Sequence, residues 1–216
     1  MEEALVREAG FGDTSTVALL LSLGVRVDTR DQGFTPLLAA TQHGHTEVCK
    51  LLLQAGSDLN EREPQTLSTA LHFAALTGHQ SIIQLLLSHK ADVNSRDRRG
   101  FTPLHNASQE DHLTSVMTLL EAGADPLLPK YDGALPIGMA AQQNHSRVVK
   151  ILIEQGRCSP DQVRQTALQS LDHLSYSFRV KQSFIIIPTY HDNDHDQHHD
   201  DQNRCRYESI TLSLSM

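Results

Sequence analysis

The sequence predicts an all-α solenoid, a stack of short helix-turn-helix units with β-hairpin tips over residues 1–160. A tail, residues 161–216, follows and is expected to be largely disordered. Three observations predict the stack. A turn–helix junction recurs as Thr35-Pro36, Thr69-Ala70, Thr102-Pro103 and Leu135-Pro136, in steps of 34, 33 and 33 residues. A histidine recurs in the same steps at His45, His79, His112 and His145. An apolar run does likewise at Leu51–Leu53, Leu85–Leu87, Thr118–Leu120 and Ile151–Ile153. A fixed period of this size marks units too small to bury an apolar face alone, which bury it against their neighbours.

Within a unit, each element has a local cause. The threonine supplies a helix N-cap, and the proline after it occupies the first helical turn, where its missing N–H costs nothing. The first helix is built of small residues such as Ala39-Ala40 and Ala74-Ala75, which permit close packing. Gly44 and Gly78 stop it in a left-handed conformation, and Asp111 and Asn144 take that place later in the chain. The second helix carries apolar residues at helical spacing, as in Ile82, Ile83, Leu85, Leu86 and Leu87. Gly56, Gly123 and Gly156 close it, with Lys90 as the odd member.

The segments "TALHFAALTGH" (69–79) and "TPLHNASQEDH" (102–112) resemble the ankyrin repeat. Five units are expected, at about 1–32, 33–65, 66–99, 100–132 and 133–160. The first lacks the Thr-Pro opening, as a terminal capping unit with one neighbour would. In the ankyrin family partners bind the concave side, formed by the hairpin tips and the exposed side of the first helices. The resemblance therefore implies contacts from Gln32 and Phe34, from Arg98, Arg99 and Phe101, and from Lys130 and Tyr131 at the hairpins. On the first helices it implies Gln42, His43, Leu76, Thr77, Gln109, Glu110, Gln142 and Gln143. Phe34 and Phe101 have two readings: rings presented to a partner, or rings packed on a neighbouring hairpin. The "SRDRRG" run (95–100) is either an attractor of acidic peptides or a solvated loop. The four periodic histidines, with His72 and His105, are expected in hydrogen-bonded packing roles rather than as metal ligands. Asn60 and Asn94, each after an Asp and an aliphatic residue, sit where the family can be hydroxylated; the alternative is a turn-stabilising asparagine.

Composition narrows the function classes. The formal charge is -8, from 26 acidic and 18 basic residues, which argues against nucleic acid or an anionic membrane as partner. Cys49, Cys158 and Cys205 are three, far apart and without a CxxC pair, which points to a reducing, intracellular setting, cytoplasmic or nuclear. No apolar run approaches the ~20 residues of a membrane helix. The phosphate-binding, zinc-protease, nucleophile-elbow and dinucleotide motifs are all missing, so no enzyme activity, cofactor or resident metal is expected. The expected function is non-catalytic binding of another protein or peptide by a monomeric adaptor or scaffold. Two alternatives stand beside it: a shortened form of a larger ankyrin-containing enzyme or ubiquitin-ligase substrate adaptor, and a metal-binding tail. The latter rests on "HDNDHDQHHDD" (191–201), where Asp192, Asp194 and Asp196 match the start of a calcium loop but Gln197 replaces its glycine. A run "RCSPDQ" (157–162) loosely resembles a tankyrase-binding peptide.

Overall fold

The computed structural model describes residues 2–155, and these form ten α-helices in five antiparallel pairs. The pairs are α1 (Glu2–Phe11) with α2 (Thr14–Ser22), α3 (Pro36–His43) with α4 (Thr46–Gln54), α5 (Ala70–Thr77) with α6 (Gln80–Ser88), α7 (Pro103–Gln109) with α8 (Leu113–Glu121), and α9 (Pro136–Gln142) with α10 (Ser146–Glu154). Each helix is too short to be stable alone in water, so packing must hold it. That packing is one-dimensional. The first helices stack α1 on α3 on α5 on α7 on α9, and the second helices stack in parallel beside them.

The predicted elements form for the predicted reasons. Thr35 Oγ1 accepts the Leu38 N–H, and Thr102 Oγ1 accepts the His105 N–H, each with proline next in the chain. Gly44 and Gly78 end α3 and α5 at φ 82° and 72°. Asp111 and Asn144 replace them at φ 58° and 62°, and Lys90 takes φ 65° after α6. Glycine has a second reason to stand at 44: a Cβ there would lie 2.6 Å from the His79 ring.

The core runs continuously between the two helix layers. Leu5, Leu37, Leu38, Leu52, Leu71, Ile82, Ile83, Leu86, Leu104, Leu119, Ile137 and Leu152 are its largest buried members, all 1% exposed or less. Cys49 belongs to it, and burial pushes its thiol up to about 11. In α10, Val148 and Leu152 face inward, while Val149 and Ile153 are half-buried.

The tips are hairpin turns without strands among the described residues, where one isolated antiparallel bridge joins Asp31 and Phe34. Each of the others is closed by two backbone bonds, Glu63 N–H to Ser68 O with Leu67 N–H to Glu63 O, Asp97 N–H to Phe101 O with Gly100 N–H to Asp97 O, and Lys130 N–H to Ala134 O with Gly133 N–H to Lys130 O. The tail, the Asp/His tract, the 157–162 run, Cys158, Cys205 and Gly156 lie outside the described residues.

Candidate binding surface

Two sets of side chains fix the hairpin tips against the helices. In the first, Thr69 N–H donates to His72 Nδ1 at 3.2 Å, which leaves the ring proton on Nε2 to be donated to Phe101 O at 3.0 Å. His105 repeats this with Thr102 N–H (3.2 Å) and Ala134 O (3.1 Å). Each imidazole closes a capping box at its own helix and ties that helix to the next hairpin. A second proton has no place to go, and burial holds His105 down to about 4 and His72 in the same direction.

The second set is an arginine series. Arg30 pairs with Glu61 and donates to Arg62 O; Arg62 donates to Arg96 O at 2.8 Å; Arg96 donates to Pro129 O. Each guanidinium thus reaches the carbonyl of the equivalent residue one unit on, and the series stops at Pro129. As a series these arginines escaped the sequence reading, which took in Arg96 only as part of the 95–100 run. Their signal was a recurrence at separations of 32 and 34 residues, a fourth periodic ruler.

The periodic histidines occupy the opposite ends of the first helices. His45, His112 and His145 bond through Nε2 to Gly10 O, Leu76 O and Gln109 O at 2.9, 3.1 and 2.9 Å, and the His79 ring lies against Gly44. No group of His, Cys, Asp and Glu among the described residues could hold a metal ion.

On this frame the expected contact residues form two bands. At the hairpins Gln32, Arg98, Arg99 and Tyr131 are exposed, with Tyr131 at 66%, and Lys130 is half-buried. Phe34 is half-buried against Phe73 of α5, with ring centroids 5.8 Å apart. Phe101 is 4% exposed. That corrects the reading of Phe101 as a ring presented to a partner: it packs on His105, and the Arg99 guanidinium and Lys130 ammonium sit 4.6 and 4.8 Å from its centroid. Phe101 is the support of this band rather than its contact. At the far ends of the first helices Gln42, His43, Leu76, Glu110, Gln142 and Gln143 are exposed, while Thr77 and Gln109 are half-buried. One helix of about 8 residues, ~12 Å, separates the bands.

The carboxylates of the hairpin band bond within it, Glu63 and Asp97 buried and Asp132 exposed. Asp97 accepts the N–H groups of Arg99 and Phe101 at 2.8 and 2.7 Å. Burial raises Glu63, but bonds from Gln65 and Thr66, with the nearby Arg98 charge, outweigh it and hold the carboxyl below its usual range. Asp132 follows the same balance through Lys130, 2.7 Å away, and the Ala134 N–H. Of the two asparagines, Asn94 is engaged between units: it accepts the Asp125 N–H at 2.8 Å and donates to Gly123 O. Asn60 is exposed.

The family model for ankyrin repeats matches residues 2–63 and 61–130, well over half of the chain. The chain belongs to the ankyrin-repeat family. Among similar proteins are a putative ankyrin repeat protein of Rickettsia bellii (strain RML369-C), 51% identical over 43 residues, and a probable E3 ubiquitin-protein ligase of Oryza sativa subsp. japonica, 38% identical over 69. An ankyrin repeat-containing protein of Schizosaccharomyces pombe (strain 972 / ATCC 24843) is 36% identical over 56 residues. These matches cover 19%, 32% and 26% of this chain and 13%, 14% and 27% of the relatives. Ankyrin repeats mark a protein–protein interaction module. No described helix of this ankyrin array is long and apolar enough to cross a membrane.

Proposed function

We propose that the array is a non-catalytic adaptor or scaffold, monomeric and intracellular, that holds a partner protein along the hairpin tips and the exposed ends of the first helices. The observation that carries this reading is the contrast between frame and surface. The histidines and arginines of the period are engaged in holding one unit to the next, whereas Gln32, Gln42, His43, Leu76, Arg98, Arg99, Tyr131, Gln142 and Gln143 stand exposed on that frame. A rigid platform with adaptable polar and aromatic contacts suits recognition, because little ordering entropy remains to be lost on binding.

Cross-linking mass spectrometry on the tagged chain in its native cell tests this. Partner cross-links should cluster beside the two bands. Cross-links confined to the outer side of the second helices, near Lys50, Lys150 and Glu154, would overturn it. A role as a ubiquitin-ligase substrate adaptor is a finer version of the same proposal, supported by the rice relative, and predicts ligase components among the captured proteins. Hydroxylation is proposed at Asn60 ahead of Asn94, whose amide is already held between units.

A further inference from the structure

The hairpins at 96–101 and 130–134 gather basic side chains on a chain of net charge -8. Arg99 and Lys130 lie over one ring, that of Phe101, and so within a Debye length of each other. The Arg96 guanidinium lies 5.0 Å from the centroid of Tyr131 and fixes that exposed ring beside them. The two hairpins are joined by the Tyr131 N–H donated to Arg99 O at 3.2 Å. Arg98 stands next in line, with one amine on Pro64 O at 2.9 Å. An aromatic face attracts a guanidinium without occupying its N–H edge, so the exposed Arg99 keeps its side-chain donors available, whereas Arg96 spends one on Pro129 O.

Charge complementarity decides the occupant. Among the described residues neither Arg98 nor Arg99 makes an ion pair: Asp97 bonds backbone N–H groups, Glu63 bonds Gln65 and Thr66 although it feels the Arg98 charge, and Asp132 pairs with Lys130 and accepts the Ala134 N–H. Like charges held close on a fixed support repel, and an incoming carboxylate relieves that repulsion while forming forked bonds with guanidinium. We propose that this edge takes a carboxylate-rich, extended segment of a partner protein, with the exposed Arg98 and Arg99 gripping its acidic side chains and Tyr131 covering its apolar atoms, while Lys130, paired with Asp132, supports Phe101 beneath them. The proposal rests on the reading that the hairpin band is a binding surface, and it names the partner's chemistry.

The probe is a fluorescein-labelled Glu-rich peptide carrying one Leu, followed by anisotropy with the 216-residue chain. Binding should weaken as salt rises. The double variant Arg98→Ala with Arg99→Ala, both side chains exposed, should keep its helical circular dichroism and lose on the order of tenfold or more in affinity. The charge-matched variant Lys50→Ala with Lys150→Ala, both exposed on the second helices and outside the two bands, should bind as the parent does. A peptide with Gln for every Glu that binds equally well, an unchanged double variant, or a single-stranded RNA that competes better than the Glu peptide would each overturn the proposal. If cross-links still map to the hairpins while the peptide fails, the acidic chemistry falls and the binding surface stands.

Discussion

Three residues after the helix N-cap, the third and fourth units carry His72 and His105, whereas the second carries Leu38 and the fifth Gly138. All four positions are buried. The middle units answer burial with a polar staple, in which one neutral ring accepts from its own N-cap and donates to the next hairpin. The second unit answers it with an apolar side chain packed into the core, and the fifth with no side chain at all. The fifth also replaces the threonine cap by Leu135, which makes no side-chain cap bond. The difference teaches that a fixed topological position leaves the type of interaction open. It also locates the stiffest hairpins at the basic edge, because the staples end on Phe101 O and Ala134 O.

The largest effect should come from removing a staple. His105→Leu copies the second unit's solution into the fourth, but it leaves the Thr102 N–H buried without its acceptor and takes from Ala134 O one of its two donors, the Lys130 N–H remaining. A loss of about 3 kcal/mol in unfolding free energy is expected in urea titration, since each orphaned buried group costs roughly 1–3 kcal/mol. A loss under ~0.5 kcal/mol would mean that packing alone holds the middle units as it holds the flanks.

Titration of the same ring gives a comparable effect by another route. In the open chain the imidazole titrates near 6.5, and in the fold His105 titrates at about 4. Above 6.5 both states are neutral and the staple contributes fully. As pH falls from 6.5 toward 4 the unfolded chain gains the proton first, so stability drops by about 3 kcal/mol for this residue, with His72 adding in the same direction. Glu63 and Asp132, held low in the fold, also cost stability on acidification, but nearer the carboxylate range. His105→Asn separates the contributions: its amide oxygen can accept where Nδ1 did and does not titrate. Stability measured against pH between 6.5 and 4.5 should fall less steeply in this variant, and an equal slope would assign the pH dependence to other groups.

What the sequence made legible was whatever repeats along it. The units, the Thr and Pro starts of α3 and α7, and the left-handed stops at Gly44, Gly78, Asp111 and Asn144 all follow from local rules that hold within one unit. What stayed hidden depends on the neighbouring unit. Arg62 reaches a backbone carbonyl of Arg96, and a carbonyl has no letter in the sequence. Phe101 is buried because Lys130 of the next hairpin covers it, so its own hairpin reads as exposed. Leu67 adopts φ 60° because the tip closed by Glu63 and Ser68 is longer than its counterparts, which place Gly33, Gly100 and Gly133 in that conformation. The candidate surface was legible as a set of positions through the family resemblance, while its division into buried and exposed residues came from the packing.

The smallest effect sharpens the comparison at its weak end. Leu135→Thr gives the fifth unit the cap that the other Pro-started helices have, with Pro136 already in the first turn of α9. A new hydroxyl accepting the Gly138 N–H should stabilise that helix by about 1 kcal/mol. Leu135 is half-buried and packs against the core, so the lost apolar contact offsets part of this. Because stacked repeats open from their ends, the gain should show in slower hydrogen exchange of the α9 and α10 amides before it shows in the melting temperature. Unchanged or faster exchange there would mean that the contact made by Leu135 outweighs a cap, and that packing, rather than capping, limits the fifth unit.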